Sequence, residues 1–262
     1  MGLKHSVRVY WIFSLPRSGS SVTAYAAAHA LGCPVADEPL GPWDRTGEPY
    51  NYPAIQAELV SAHLAGQCML EDSSTIDLAN RVLREIAGGS ETLIVKHPHL
   101  RPPPAQFAHA FPGHRGVWLA RNPLTRLNSL YARGWTDALR PNFELDHYKA
   151  FADNWSASRS RLTFELFRAN PKRFFMKLFK AWGVKASRSI VEAAIEYADG
   201  HYHGSSLELE ARSADSAPSE QQRSLPEEAV RMYLADPQIL RMMKRSKWPR
   251  EASAYLNESS TA

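Results

Sequence analysis

The segment from Val7 to Leu31 constrains the fold of this 262-residue chain more than any other part of it. It begins with an apolar run, Val7 to Ser14, which is typical of a buried β-strand. The run breaks at Leu15-Pro16 into a polar turn with one arginine, three serines and a glycine, and a helical pattern of apolar residues follows. A strand, a tight loop and a helix in this order direct backbone N–H groups and the positive end of a helix at an anion.

The polar turn has the composition of a phosphate-binding loop, formed by Pro16, Arg17, Ser18, Gly19, Ser20 and Ser21. Glycine lets the backbone approach a phosphate closely, and hydroxyls with a guanidinium can donate to its oxygens. The loop differs from the usual ATP-binding one, because the pattern G-x-x-x-x-G-K-[ST] placed on Gly19 would need glycine at Ser14 and lysine at Ser20. The simpler alternative is a serine-capped helix that follows a buried strand.

A second segment has a similar organisation. Gly116 to Ala120 is a short apolar run that predicts a buried strand, and it leads into Arg121-Asn122-Pro123. Proline suits the first turn of a helix, and the helical pattern that follows carries Ser129 about two turns further on. Arg121 and Ser129 could together hold a second phosphate if the chain before the helix folds back beside it.

Together, the two segments resemble the sulfotransferases that use 3′-phosphoadenosine 5′-phosphosulfate (PAPS). The resemblance covers roughly residues 7 to 135 and implies that the loop from Pro16 to Ser21 binds the 5′-phosphosulfate, while Arg121 and Ser129 bind the 3′-phosphate. It also implies PAPS as sulfuryl donor, 3′-phosphoadenosine 5′-phosphate (PAP) as product, and no metal. Arginine at position 17 is more similar to the bacterial and tyrosyl-protein members than to the mammalian cytosolic type.

Sulfuryl transfer requires a base for the acceptor proton and positive charge for the leaving phosphate. Arg17 and Lys96 are the candidates for the charge, and Lys96 also resembles the family because a proline follows it two residues later. Glu38 resembles the acceptor-activating glutamate of the tyrosyl-protein and some bacterial enzymes. His97 and His99 are the rival bases, since histidine titrates near neutral pH and the cytosolic enzymes carry a histidine after this lysine. We favour Glu38, because the arginine-type loop belongs with the glutamate type.

Short apolar runs that alternate with helical patterns predict an α/β fold. The resemblance makes this a three-layer parallel β-sheet flanked by helices, similar to the P-loop NTPases, with a helical C-terminal half. The strand ends at residues 14–17, 96–99 and 121–122 should then open onto one crevice. We predict irregular chain from Gly32 to Tyr52 and helices at Pro53–Ala65, Thr75–Ala87, His147–Ala169, Pro171–Trp182 and Ser187–Ala198.

The chain is predicted to be a single domain over residues 1–262, with a flexible polar loop at 204–228 and a disordered tail at 258–262. The basic residues are spread along the chain in spite of a net charge of +4, and no nucleic-acid motif is present, so no nucleic-acid partner is expected. No apolar run approaches the roughly 20 residues of a membrane span, and no signal peptide is recognisable. We therefore expect a cytoplasmic protein without a membrane partner.

Two other functions stay open at this point. One is a P-loop phosphotransferase or kinase, and the other is a protein that binds PAPS or PAP without catalysis. The acceptor could be a small molecule, a glycan or a peptide. The basic, aromatic segment Arg241–Trp248 lacks the glycines of the segment that closes over the nucleotide in many sulfotransferases, so no binding role is assigned to it.

Overall fold

The computed structural model describes residues 7–40, 73–98, 102–131, 141–201 (141–143 as backbone only) and 227–248. The strands in these ranges are β1 (Arg8–Ser14), β2 (Val35–Asp37), β3 (Thr92–His97), β4 (Arg115–Ala120) and β5 (Arg161–Thr163). The helices are α1 (Ser20–Leu31), α2 (Ser73–Ala87), α3 (Pro104–Ala110), α4 (Pro123–Tyr131), α5 (Pro141–Ala157), α6 (Phe164–Ala169), α7 (Pro171–Ala181), α8 (Arg188–His201), α9 (Glu227–Ala235) and α10 (Pro237–Ser246). None of these helices is both long and apolar enough to cross a bilayer.

The five strands form one sheet in the order β2-β3-β1-β4-β5, and every neighbouring pair is parallel. β1 lies at the centre and pairs with β3 on one side and β4 on the other. Its side chains from Val9 to Ser14 are buried, as expected for a strand covered on both faces. Because the strands are parallel, all their carboxyl ends lie along one edge of the sheet, as the sequence predicts.

Helices cover both faces of the sheet, because successive side chains of a strand point to opposite sides. On β1, Trp11 and Phe13 belong to a core that includes residues of α2, α3, α4, α5, α9 and α10. Tyr10 and Ile12 belong to a second core formed with α1, α6, α7 and α8. The predicted three-layer α/β architecture is therefore confirmed.

Two short strands differ from the sequence predictions. β2 lies in the stretch predicted as irregular, and β5 interrupts the helix predicted over His147–Ala169. Each contains three residues, which is too few to show the alternation that identifies a strand. Both are edge strands, formed because a neighbouring strand offers backbone hydrogen bonds.

The predicted boundaries of the flexible loop also need correction. α9 begins at Glu227, so the last two residues assigned to the 204–228 loop are helical. The rest of that loop, the helix predicted at 53–65 and the tail at 258–262 lie outside the described residues.

Candidate active site

The loop between β1 and α1 has a backbone that few residue types adopt easily. Arg17 and Gly19 have positive φ angles of 68° and 79°. Gly19 is the N-cap of α1, and no side chain of the described residues caps this helix end. The helix is therefore capped by glycine and not by serine, as the simpler alternative required, and the positive end of the α1 dipole lies at this loop.

Gly19 is required for a packing reason that the sequence does not reveal. A Cβ atom on Gly19 would lie 2.1 Å from Cε2 of Phe164, the first residue of α6. The ring therefore occupies the place of a side chain at position 19. Close approach of the loop to α6, together with the positive φ, explains glycine here.

The two predicted phosphate-binding segments meet in space. Nε of Arg17 donates to Oγ of Ser129 at 3.2 Å, and Nη1 of Arg121 donates to the carbonyl oxygen of Arg17 at 2.9 Å. α4 therefore runs beside the loop, as required for Ser129 to face the same groove as Arg121. The structure brings Arg17, Arg121 and Ser129 into one cluster at the carboxyl ends of β1 and β4.

Arg121 is held on several sides. Its Nε donates to Oγ1 of Thr125 at 3.3 Å, and its guanidinium carbon lies 5.4 Å from the centre of the Phe164 ring. The buried hydroxyl of Tyr148 donates to the Arg121 carbonyl oxygen. The first two contacts fix the guanidinium and the third fixes the backbone of Arg121 at the end of β4, where the sequence predicts the 3′-phosphate to bind.

A buried carboxyl lies behind Arg121. Oε1 of Glu165 accepts the backbone N–H of Asn122 at 2.8 Å. Burial raises the pKa of Glu165, against the opposing effects of this hydrogen bond, the charge of Arg121 and the indole of Trp248. Trp248 follows α10, so the end of the basic C-terminal segment, to which the sequence assigns no role, lies close to the Glu165 carboxyl.

A second cluster lies on the other side of the loop, at the ends of β2 and β3. Nζ of Lys96 lies 2.7 Å from Oδ1 of Asp37 and 3.2 Å from Oε1 of Glu38, and it donates to Oγ of Ser21 at 3.1 Å. Lys96 is 6% exposed, so these three partners surround the charge of a buried side chain. Lys96 thus links the loop to both carboxylates, and Asp37 is its nearest partner.

The candidate bases lie in different surroundings. Glu38 has a positive φ of 55°, and its N–H donates to the Lys96 carbonyl oxygen at 2.8 Å. His97 is 2% exposed and points to the opposite face of β3 from Lys96, because adjacent strand residues alternate. His99 lies outside the described residues.

Three neighbours of the site were missed by the sequence reasoning. Asp37 could have been included, since it follows an apolar run and precedes Glu38. Thr125 lies one helical turn after Arg121, a spacing at which side chains meet on a helix. No sequence pattern identifies Phe164 as a neighbour of the site, because only the pairing of β5 with β4 places its ring against Gly19.

A scan of protein-family models and a search of curated proteins find no match to this chain. Its structure is similar to the sulfotransferase domain of the curacin biosynthetic pathway (TM-score 0.53, 13% identity, 93% of this chain and 98% of that one). It is also similar to the sulfotransferase domain of the Synechococcus PCC 7002 olefin synthase (TM-score 0.50, 13% identity, covering 95% of this chain and 98% of that one). A third similar structure is retinol dehydratase in complex with retinol and PAP (TM-score 0.53, 13% identity, covering 93% of this chain and 83% of that one).

These similarities extend over nearly the whole chain. At 13% identity they establish the fold and leave the activity to the chain's own residues. The protein has the α/β fold of the sulfotransferases, in agreement with the resemblance that its two motifs indicate.

Proposed function

We propose that this protein is a PAPS-dependent sulfotransferase that transfers a sulfuryl group to an acceptor hydroxyl or amine. The observation that carries the proposal is the contact between the two motifs: the Arg17 side chain donates to Ser129, and the Arg17 carbonyl oxygen accepts from Arg121. One site thus contains a loop suited to a 5′-phosphosulfate and a pair suited to a 3′-phosphate. The sulfotransferase fold supports the proposal.

The residues present fit the donor. Two guanidiniums, the start of α1 and several hydroxyls suit a ligand with several anionic groups. Ser20 is small and buried at the position where an ATP-binding loop carries its lysine. PAPS, when bound, supplies the sulfuryl group, and Arg17 and Arg121 would hold its two ends.

Lys96 is suited to a role between the loop and the base. Its ammonium bonds to Ser21 on α1 and to the carboxylates of Asp37 and Glu38. It can orient Glu38 and, with Arg17, neutralise negative charge that develops at the loop. Glu38 would take the proton of the acceptor. Its place in this cluster favours it over His97, which points to the other face of β3.

A thermal-shift experiment with PAP, ATP plus magnesium, and NAD tests the donor. PAP at 100 times its dissociation constant should stabilise the protein by about 2.7 kcal/mol. Release of PAP from PAPS in the presence of an acceptor panel of phenols, alcohols, sugars and peptides then tests transfer. Stabilisation by ATP with magnesium, without any by PAP, would favour a phosphotransferase instead. PAP binding without transfer to any acceptor would favour a binding protein.

A further inference from the structure

Arg126 is a buried arginine that no motif identified. It lies on α4, it is 1% exposed, and its Nε donates to the carbonyl oxygen of Pro16 in the predicted phosphosulfate loop at 2.9 Å. Its Nη2 donates to Oε2 of Glu144 on α5 at 2.7 Å. The guanidinium therefore connects the loop to α5.

Arg126 and Arg121 donate hydrogen bonds to the carbonyl oxygens of two consecutive peptide groups. Arg126 holds the carbonyl of Pro16, and Arg121 holds the carbonyl of Arg17. The described chain contains no cis peptide bond, so the C=O and N–H of each peptide group point in opposite directions. The N–H groups of Arg17 and Ser18 must therefore point away from the two arginines. This fixes the direction of two donors in a loop where Arg17 already has a strained, positive φ.

Stability alone does not account for this buried ion pair. Removing two charges from water is costly, and a buried pair is often no more stabilising than apolar residues of the same size. Nη1 of Arg126 is also buried and has no hydrogen-bond partner among the residues that the structure describes, which adds to the cost. The arrangement is better explained by the effect of the Arg126 guanidinium on the orientation of the peptide groups in the loop.

We propose that Arg126, oriented by Glu144, is a positioning residue that turns the N–H groups of Arg17 and Ser18 toward the 5′-phosphosulfate. The inference rests on the proposed function, because it assumes that this loop binds the 5′ end of the nucleotide. On this proposal, the Arg126–Glu144 pair affects the binding of the 5′-phosphate group and does not affect the binding of the 3′-phosphate.

Two nucleotides separate this effect from a general loss of structure. PAP carries both phosphates, whereas adenosine 3′-phosphate lacks the one at the 5′ position. Arg126→Lys keeps the charge but cannot hold Pro16 and Glu144 in the same fork geometry. It should weaken PAP binding about ten- to a hundredfold, measured by calorimetry, and leave adenosine 3′-phosphate binding within about twofold. Glu144→Gln should give a smaller loss with the same selectivity, and the two losses should be less than additive in the double variant.

Lys149→Met is the matched control, because it removes the Lys149–Asp236 ion pair of the same helix α5 without touching the loop. It should leave the ratio of the two affinities unchanged, even if the melting temperature falls. Should Arg126→Lys fail to fold, Glu144→Gln decides the question, since it preserves the size of the side chain. Equal losses for both nucleotides, or none, would overturn the inference. Wild-type protein that binds neither nucleotide would overturn the proposed function itself.

Discussion

Arg17 and Glu38 share an unusual feature at the residue scale: both are non-glycine residues in the left-handed backbone region. Each such residue costs of order 1–3 kcal/mol and persists only where its surroundings fix it. Arg17 is fixed by Ser129 and Arg121, and Glu38 by its bonds to Lys96. The third described case, Lys247, ends α10 and so has a structural explanation in helix termination. Strain at two predicted functional residues is consistent with a site built for precise placement.

Glu38→Gln tests the proposed base. The substitution keeps the size and the hydrogen bonds of the side chain but removes the carboxylate, so kcat should fall by roughly 10²–10⁴. PAP affinity should stay within a few-fold, because the proposed nucleotide contacts are made by the loop, Arg121 and Ser129 and not by Glu38. Steady-state rates with a neutral-alcohol acceptor and calorimetry with PAP provide the two measurements.

The histidines provide the comparison for Glu38. His97→Ala and His99→Ala should each lower kcat much less than Glu38→Gln does. An acceptor that is already ionised needs no base and should partly rescue the glutamine variant. Near-normal turnover by Glu38→Gln would remove this residue from the mechanism, and a large loss in one histidine variant would assign the role there.

Arg121→Ala tests the 3′-phosphate subsite. A hydrogen bond to a charged group contributes roughly 1.5–3 kcal/mol, so PAP affinity should fall about ten- to a hundredfold. Adenosine 5′-phosphosulfate lacks the 3′-phosphate and should lose much less, which competition binding can measure. Equal losses would show that Arg121 acts on another part of the ligand, or only through the Arg17 carbonyl oxygen that it holds.

At the scale of elements, the long apolar runs were the predictable part of the structure. β1, β3 and β4 each contain an unbroken run of at least three apolar residues, and a helix follows each of them along the chain. β2 and β5 form through pairing with β3 and β4, which no local pattern records. The same distinction holds for the candidate site. The loop and the Arg121 segment could be recognised as local sequence motifs, whereas Phe164 and Glu165 reach the site only through tertiary packing.

The exposed face of α7 offers a prediction on stability. Lys172, Arg173, Lys177 and Lys180 are exposed there, and the first turn carries no acidic residue. Arg173→Glu places a negative charge near the positive helix end and four residues before Lys177. The free energy of unfolding, measured with urea, should rise by roughly 0.5–1 kcal/mol at low salt. Arg173→Gln serves as the control and should give a smaller gain. A gain of equal size in 1 M salt would show that charge is not the cause.

At the scale of the whole molecule, the half-buried histidine His114 links folding to pH. Burial lowers the pKa of His114 from its ordinary 6.5 to about 4, and its Nδ1 accepts a hydrogen bond from the Trp11 indole at 3.1 Å. The unfolded chain therefore binds a proton at this residue between pH 6.5 and 4 while the folded chain does not. The contribution of His114 to stability is present above pH 6.5 and is lost as the pH falls through this window.

His114→Asn tests this linkage, because the amide oxygen can accept the Trp11 hydrogen bond but does not titrate. The free energy of unfolding of the wild type should decrease more steeply than that of the variant between pH 6.5 and 4. Since other groups titrate in both proteins, the difference between the two curves is the quantity to measure. A difference that does not change with pH would show that His114 titrates alike in the folded and unfolded states, which would contradict the prediction.

The central place of β1 has a consequence for synthesis on the ribosome. The partner strands β3 and β4 come much later in the chain, and β3 ends 97 − 14 = 83 residues after β1. At a synthesis rate of about 5–20 residues per second, roughly 4 to 17 seconds pass between the synthesis of β1 and that of β3, the first of its two partner strands. During that time a nascent chain exposes the segment Val-Tyr-Trp-Ile-Phe, which is apolar and prone to form β-structure with other chains. The strand that organises the finished sheet is thus the segment on which a chaperone has most time to act.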